Sequence, residues 1–158
     1  MTFSREVVDY GDTYEYLEGD KETYKYNESG QLIETIEYRS SVLGDIKYTY
    51  AYDTYGNRIE DYQEYPNNRK TTYVFDSSGN IVEQKYYESG SLVEKYISVY
   101  NDNGDNVGYT KYNKDGIASF KYSYTYSNVD SNGNWLKKVE TKDNIANIVI
   151  ERVIEYSF

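Results

Sequence analysis

The chain lacks cysteine and histidine throughout its 158 residues. Without cysteine it can form no disulfide, zinc–thiolate site or thiol nucleophile, and without histidine it can form no serine–histidine–aspartate triad. No apolar run approaches the ~18 residues of a membrane-spanning helix. No signal peptide is evident, so Met1 is either a native start or one placed after a removed leader. The sequence therefore predicts no catalytic residue, no cofactor and no membrane insertion.

Basic residues are also scarce, with 17 Lys and Arg against 27 Asp and Glu, a formal net charge of -10. Binding to phosphate groups needs clustered Lys and Arg, so this balance argues against a nucleic-acid partner and against an anionic membrane surface. It is compatible with a basic protein partner or a neutral glycan. The sequence does not indicate an oligomeric state.

Tyrosine is abundant, with 23 residues against 4 Phe. A tyrosine ring is apolar but its hydroxyl needs water or a polar partner, so tyrosine suits thin sheets that stay partly hydrated. Aromatic and β-branched residues together with a single proline argue against disorder, although the mean hydropathy is -0.90. An ordered β-rich protein is predicted.

One short motif recurs at intervals of about 25 residues. An aromatic residue is followed by Asn or Asp, two further residues and Gly, as in 26–30 (YNESG), 52–56 (YDTYG), 75–79 (FDSSG) and 100–104 (YNDNG), and 130–134 (DSNGN) is related. This pattern is typical of a type I turn followed by a G1 bulge. We expect positive φ at the turn glycines and a cost of ~1–2 kcal/mol for a β-branched replacement at any of the first four. The structural turn glycines are Gly30, Gly56, Gly79, Gly104 and Gly133.

A second turn lies between each pair of these motifs, so each repeat contains two strands. The fold class predicted is all-β: an antiparallel meander of about a dozen strands in repeated hairpins, forming a curled strip, a sandwich or an open barrel. Residues 1–158 are taken as a single domain, with almost no helix. Strands 92–100 and 145–156 carry apolar residues on both faces, so we expect part of the sheet to be covered on both sides. The predicted strands are 13–17, 21–27, 31–39, 46–53, 58–65, 70–76, 81–87, 92–100, 107–113, 118–127, 135–142 and 145–156.

Residues 48–59 (YTYAYDTYGNRI) resemble the YD repeat, also called the RHS repeat, in which an aromatic–Asp pair precedes Gly, a polar residue and an aliphatic residue. The similarity extends over roughly 20–140. It implies a bacterial origin, a spiral strip of hairpins and a secreted, cell-surface or toxin-associated setting. It also implies carbohydrate binding, which has been suggested for such repeats.

Two kinds of binding residue are candidates. Asn101, Asp102, Asn103 and Asp105 place several oxygen ligands in one loop, as Ca²⁺ requires, although tight turns need the same residue types without a metal. Aromatic rows at 48, 50, 52 and at 120, 122, 124, 126 suit stacking against sugar rings, although they equally suit a core. The ligand-binding candidates chosen from these aromatics are Tyr48, Tyr50, Tyr52 and Trp135.

The function predicted from these features is a non-catalytic binding or structural module that recognises carbohydrate or a protein partner through a tyrosine-rich sheet. One alternative is an immunity-type acidic partner of a basic bacterial toxin. The other is a glycoside hydrolase that uses paired carboxylates, such as Glu60 with Glu64 or Glu151 with Glu155, although nothing in the sequence indicates that these are buried.

Overall fold

The computed structural model describes residues 4–8, 11–15, 21–38, 44–64 and 68–156. These residues form thirteen β-strands and no helix. The predicted strand 13–17 lies partly outside this set, and β1 was not predicted. The strands are β1 (Ser4–Val8), β2 (Gly11–Glu15), β3 (Lys21–Tyr26), β4 (Leu32–Tyr38), β5 (Ile46–Tyr52), β6 (Arg58–Gln63), β7 (Arg69–Phe75), β8 (Ile81–Glu88), β9 (Ser91–Tyr100), β10 (Asn106–Asn113), β11 (Ala118–Val129), β12 (Trp135–Lys142) and β13 (Ile145–Glu151).

The strands follow one another in a single sheet in the order in which they occur along the chain. Neighbouring strands pair antiparallel, as the registers of β3 with β4 and of β11 with β12 illustrate. In the described part of the chain β1 and β13 end this order, and the sheet is not closed. The predicted all-β antiparallel meander of hairpins is therefore confirmed.

The chain divides into two compact units. Unit 1 comprises Met1–Val74 and Lys85–Val93, and unit 2 comprises Phe75–Gln84 and Glu94–Phe158. Assignment of the whole chain to one domain stays a prediction.

The turn at 53–57 shows why the repeated motif makes a hairpin. The Asp53 N–H donates to the Asn57 carbonyl at 2.9 Å, and the Gly56 N–H donates to the Asp53 carbonyl at 3.1 Å. The Asp53 Oδ1 also accepts the N–H groups of Tyr55 and Asn57, both at 2.9 Å. Gly56 has a φ of 90°, the left-handed geometry that the motif predicts and that disfavours any side chain. The turns at 27–31, 76–80, 101–105 and 130–134 repeat this arrangement.

Few side chains are fully removed from solvent. Among the described residues, Ile46 is the only buried hydrophobic side chain, and Thr35 is the only buried polar one. Our expectation that part of the sheet is covered on both sides is wrong for the mixed strands, because Val99 and Val149 remain 55% and 56% exposed. The sheet is therefore stabilised mainly by cross-strand side-chain pairs and by its backbone ladder.

Candidate functional site

Four aromatic rings meet on one face of unit 2, and we call this group the ring cluster: Tyr96 of β9, Tyr109 of β10, and Phe120 and Tyr122 of β11. The register places Tyr109 opposite Tyr122 and places Lys111 opposite both Tyr96 and Phe120. The Tyr109 and Tyr122 rings stack with centroids 5.2 Å apart, and Tyr96 lies 5.9 Å from Tyr109. Phe120 contacts Tyr122 edge to face at 5.5 Å. Such cross-strand aromatic pairs stabilise the pairing of β9, β10 and β11.

Lysine side chains lie over the same face. The Lys138 ammonium is 3.9 Å from the Tyr124 ring centroid, and the Lys142 ammonium is 5.2 Å from that of Phe120. Lys111 lies 5.5 Å from Tyr96, and an ion pair with Glu94 raises the pKa of Lys111. The ring surfaces that would contact a sugar are therefore partly occupied by cations of the same chain.

Tyrosine hydroxyls near this cluster stay protonated at neutral pH. Partial burial, with a smaller contribution from Tyr109 and Glu140, raises the pKa of Tyr124 to about 12. Burial also raises the pKa values of Tyr109 and Tyr126. These hydroxyls can therefore both donate and accept hydrogen bonds, but they are poorly suited to act as bases or nucleophiles.

The turns of unit 2 at 76–80, 101–105 and 130–134 form what we call the acidic turn edge. In an antiparallel meander every second connection lies at the same end of the strands, so these three turns lie side by side along that end of unit 2. They contain four aspartates (Asp76, Asp102, Asp105 and Asp130) and no Lys or Arg. The Asn80 amide and turn N–H groups lower the pKa of Asp76, and the Tyr156 hydroxyl is the main cause of the lowered pKa of Asp130. Both carboxylates are therefore ionised near neutral pH.

A groove of about 480 Å³ lies between the first two of these turns. Val82 and Val99 contribute its apolar surface, and the half-buried Tyr100 lies beside them. The Asp76 carboxylate is committed to its own turn, since it accepts from Ser78 N–H, Asn80 N–H and the Asn80 amide. Asp102 is exposed and has no such role among the turn bonds. The full lining is Asp76, Ser78, Asn80, Val82, Ser98, Val99, Tyr100, Asn101, Asp102 and Gly104.

The predicted aromatic candidates do not form one site. Tyr48, Tyr50 and Tyr52 lie on β5 of unit 1, and Trp135 lies on β12 of unit 2; all four are half-buried. The Arg58 guanidinium covers Tyr50, with its Cζ 3.9 Å from the ring centroid. These rings are thus neither a buried core nor freely exposed platforms.

Two of the candidates have structural roles. The Tyr52 hydroxyl donates to the Leu32 carbonyl at 2.8 Å. The Arg152 Cζ lies 3.7 Å from the Trp135 ring centroid. The centroids of the Tyr126 and Trp135 rings are 5.4 Å apart. Stacking of a sugar on Tyr50 or Trp135 would require an arginine to move.

The calcium candidates at 101–105 are largely used within their own turn. The Asn101 Oδ1 accepts from Asn103 N–H and Asp105 N–H, and its amide donates to the Asp105 carboxylate at 3.0 Å. In the part of the chain that the structure describes, no group of three or more acidic residues is placed to hold a metal ion. Calcium binding stays a prediction.

Sequence reasoning did not select Tyr96 and Tyr109 as members of the aromatic face. Tyr96 shares one face of β9 with Glu94 and Ser98. The opposite face carries apolar residues, so the strand shows no clear polar and aromatic alternation. Their proximity to Phe120 and Tyr122 depends on the register between strands, which a single sequence does not reveal.

Comparison with known proteins gave little. No family model matches the chain. No curated protein matches it either. Among solved structures, it is similar to a porin-like protein from Bacteroides uniformis, with 16% identity and a TM-score of 0.42, over 91% of this chain and 55% of that protein. None of the described segments is a helix able to span a bilayer.

Proposed function

We propose that this chain is a non-catalytic binding module that recognises a basic protein through the acidic turn edge. The observation that carries the proposal is the composition of that edge: three successive turns with four aspartates and no cation. Asp76 and Asp130, with lowered pKa values, keep their charge over the physiological range. A row of fixed negative charges on a chain of net charge -10 accelerates encounter with a cationic surface.

The groove between the first two turns provides a recess for part of such a partner. Its volume of about 480 Å³ is ample for a lysine or arginine side chain. Tyr100 offers the stem of that side chain an aromatic contact, and the exposed Asp102 offers its charge a carboxylate.

Non-catalytic action is supported by the carboxyl groups themselves. A glycosidase needs a general acid with a raised pKa, whereas hydrogen bonds lower the pKa values of Asp53, Asp76 and Asp130, chiefly those from Asn57, Asn80 and Tyr156 respectively. Glu60 and Glu151, from the carboxylate pairs considered above, each form an ion pair with a lysine. These groups are placed for structure and solubility.

Membership of the YD-repeat family is part of the same proposal. It is supported by five turns of one geometry at intervals of about 25 residues. A toxin-associated setting, implied by that resemblance, is one in which an acidic module would meet a basic protein. The immunity-type function is therefore a specific form of this proposal.

The test is to measure binding of the purified chain to a panel of small basic proteins by interferometry at several salt concentrations. We expect Asp102→Lys to weaken binding by roughly tenfold and to reduce its salt dependence. Asp115→Lys is the matched control, because Asp115 is also an exposed turn aspartate but lies in the turn at 113–117, on the opposite edge. Equal loss from both variants, or no binding to any basic protein, would contradict the proposal.

Carbohydrate recognition in the groove is a second candidate, favoured by hydrogen-bonding side chains beside a tyrosine ring in a recess of small-molecule size. The variant Asp102→Asn separates the two candidates, since it removes the charge but keeps most hydrogen-bonding capacity. Binding of a basic protein should be lost in this variant, whereas binding of glycans on an array should be largely retained. A hydrolase substrate panel on the same sample tests for turnover, and turnover abolished by a single carboxylate substitution would overturn the non-catalytic assignment.

A further inference from the structure

In unit 1 a side chain bridges two successive turns of the repeated motif. The turn at 27–31 ends in Gln31, whose amide Nε2 donates to the Gly56 carbonyl of the next such turn at 3.3 Å. The Asn27 amide donates to the Gln31 Oε1 at 2.8 Å, so the N–H groups of Gln31 are not needed within their own turn. The bridge is therefore made by a planar amide nitrogen that donates to a turn carbonyl.

The corresponding position in unit 2 makes no such bridge. Asn80 takes the place of Gln31, but its side chain is one methylene shorter and donates its amide to Asp76 at 3.0 Å. The corresponding carbonyl is that of Gly104, to which none of the described residues donates a hydrogen bond. A Cβ added at Gly104 would meet no atom within 4 Å, whereas one added at Gly56 would lie 3.4 Å from the Gln31 amide nitrogen. This open space belongs to the groove of about 480 Å³, which Gly104 lines.

We propose that the groove binds an arginine side chain of the partner, and that its guanidinium takes the place that the Gln31 amide takes in unit 1. This inference rests on the proposed function, recognition of a basic protein through the acidic turn edge. A guanidinium has planar N–H donors like those of the bridging amide, whereas the ammonium of a lysine is tetrahedral. Unit 1 thus contains, within its own chain, a model of the contact that a partner makes with unit 2.

Three groups that line the groove suit a guanidinium. The Gly104 carbonyl can accept one N–H bond, and the exposed Asp102 carboxylate, two residues earlier in the same turn, can accept a parallel pair. The half-buried Tyr100 offers its aromatic ring to the flat cation. None of the described residues that line the groove is a lysine or an arginine. An ammonium can pair with Asp102, but it has no planar fork, so the groove should favour arginine over lysine.

Two small probes of equal charge test this preference, namely Nα-acetyl-arginine amide and Nα-acetyl-lysine amide. Each is titrated into the isotope-labelled chain and followed by nuclear magnetic resonance. We expect the arginine derivative to bind roughly tenfold more tightly than the lysine derivative, because only the guanidinium can form the paired bonds. The resonances that shift should include the backbone N–H groups of Asp102 and Gly104.

A double variant should fill the groove from within the chain. Asp76→Asn together with Asn80→Gln rebuilds in unit 2 the side-chain pair that Asn27 and Gln31 form in unit 1. The introduced glutamine should then donate to the Gly104 carbonyl, and the preference for arginine should disappear. Asp76→Asn alone is the matched control, since it removes the same charge, leaves the groove open and should retain the preference.

Asp102→Asn gives a second test that does not depend on the double variant. Asp102 takes no part in the backbone bonds of its turn, and its substitution should weaken binding of the arginine derivative roughly tenfold. Circular dichroism establishes that each variant is folded. Equal affinity for the two derivatives, no binding of either, or an unchanged preference in the double variant would overturn the proposal.

The panel of basic proteins, applied to the same samples, separates this inference from the proposed function. If basic proteins bind through the acidic turn edge but the derivatives show no preference, the assignment of the groove to arginine is wrong and the proposed function stands. If the arginine derivative binds in the groove but no basic protein binds, the assignment of the groove stands and the proposed function is wrong.

Discussion

The smallest unit of design in this chain is a pair of side chains four residues apart, which hydrogen-bond to each other in the motif turns at 27–31, 53–57, 76–80 and 101–105. In the turn at 130–134 the Asn134 amide donates to the Tyr156 hydroxyl instead. In the turn at 53–57, the Asn57 amide donates to the Asp53 carboxylate at 2.9 Å. In the turn at 101–105 the roles are exchanged, since the Asn101 amide donates to the Asp105 carboxylate at 3.0 Å. The first residue must also accept two backbone N–H bonds, which either Asn or Asp can do. The turn thus requires one carbonyl-type acceptor, and four of the five motif turns add a complementary side-chain pair.

This reciprocity predicts a rescue. Asn57→Asp should lower the melting temperature at neutral pH, because two carboxylates then face each other across the turn. Adding Asp53→Asn should restore most of the loss, since the pair then matches that of Asn101 and Asp105. Thermal unfolding of the two single variants and the double variant measures the effect. If the change in melting temperature of the double variant equals the sum of the two single changes, the side-chain pair makes no contribution to stability.

Two glycines should differ in their tolerance of a methyl group. A Cβ at Gly79 would meet no atom within 4 Å, so Gly79→Ala should cost only the strain of positive φ, about 1–2 kcal/mol of unfolding free energy. A Cβ at Gly108, where φ is 152°, would in addition overlap the Tyr122 carbonyl oxygen. Gly108→Ala should therefore be clearly more destabilising in urea unfolding. Equal costs for the two would mean that β11 moves away freely from β10.

Within individual hairpins, tyrosine hydroxyls link strands to the start of a neighbouring strand. Tyr52 donates to Leu32 O at 2.8 Å, Tyr100 to Ile81 O at 3.1 Å and Tyr126 to Asn106 O at 2.7 Å. Each acceptor is the residue that directly follows a motif turn. Tyr52 and Tyr100 occupy the aromatic position of the motif, directly before its Asp or Asn, whereas Tyr126 lies four residues before Asp130. These hydroxyls therefore join one repeat to the preceding one.

Replacement of Tyr52 by Phe should destabilise the protein by about 0.5–1.5 kcal/mol, the usual net contribution of one hydrogen bond. Tyr55→Phe is the control, because Tyr55 is 90% exposed, and it should have little effect. Chemical denaturation with both variants in parallel distinguishes a specific bond from a general loss of polarity. If the two variants behave alike, the Tyr52 hydroxyl makes no net contribution.

A second tyrosine, Tyr73, makes the sheet sensitive to alkali. Partial burial and the hydrogen bond to Asp61 at 2.9 Å raise the pKa of Tyr73 to about 12, from the ordinary value of 10.0. Because the folded pKa is the higher one, the resulting stability is fully present below pH 10 and is lost as the pH rises towards 12. Stability curves should show a smaller alkaline loss for Tyr73→Phe than for the unmodified chain. An unchanged alkaline slope would contradict the assigned pKa.

How much of this was predictable differs between turns, strands and surfaces. The turn chemistry is local, so residues such as Asp53 and Gly56 were identifiable from spacing, and strands such as Ile81–Glu88 and Trp135–Lys142 were placed within a residue or two. Side-chain surroundings were not predictable, because they depend on cross-strand register. The capping of Tyr50 by Arg58 and the ring cluster around Tyr109 are both of this kind. The exposure of β13 escaped prediction because two-faced apolar strands usually indicate a covered sheet.

At the scale of the whole molecule, stability should be distributed along the chain instead of concentrated in one core. Among the side chains whose burial the structure describes, the two buried ones are Thr35 and Ile46, and both belong to unit 1. Unit 2 contains the ring cluster and the buried backbone at Gly108. Contacts in a meander are made mostly between neighbouring strands, as in repeat proteins, where unfolding can proceed in parts. A single free energy of unfolding need not describe such a chain.

The single tryptophan allows this to be measured, because Trp135 lies in unit 2 and its fluorescence reports on that unit, whereas far-ultraviolet circular dichroism reports on all strands. Gly108→Ala weakens unit 2 specifically, through the contact of β10 with β11. In urea, the fluorescence transition of this variant should move to lower concentration, and the circular dichroism transition should broaden because unit 1 unfolds later. A destabilising substitution in unit 1, such as Ile46→Ala, should make unit 1 unfold at lower urea concentration. The fluorescence midpoint, which reports on unit 2, should then stay nearly unchanged. If the fluorescence and circular dichroism transitions coincide in both variants, the strands unfold as one cooperative unit, and a substitution in either unit destabilises the whole sheet.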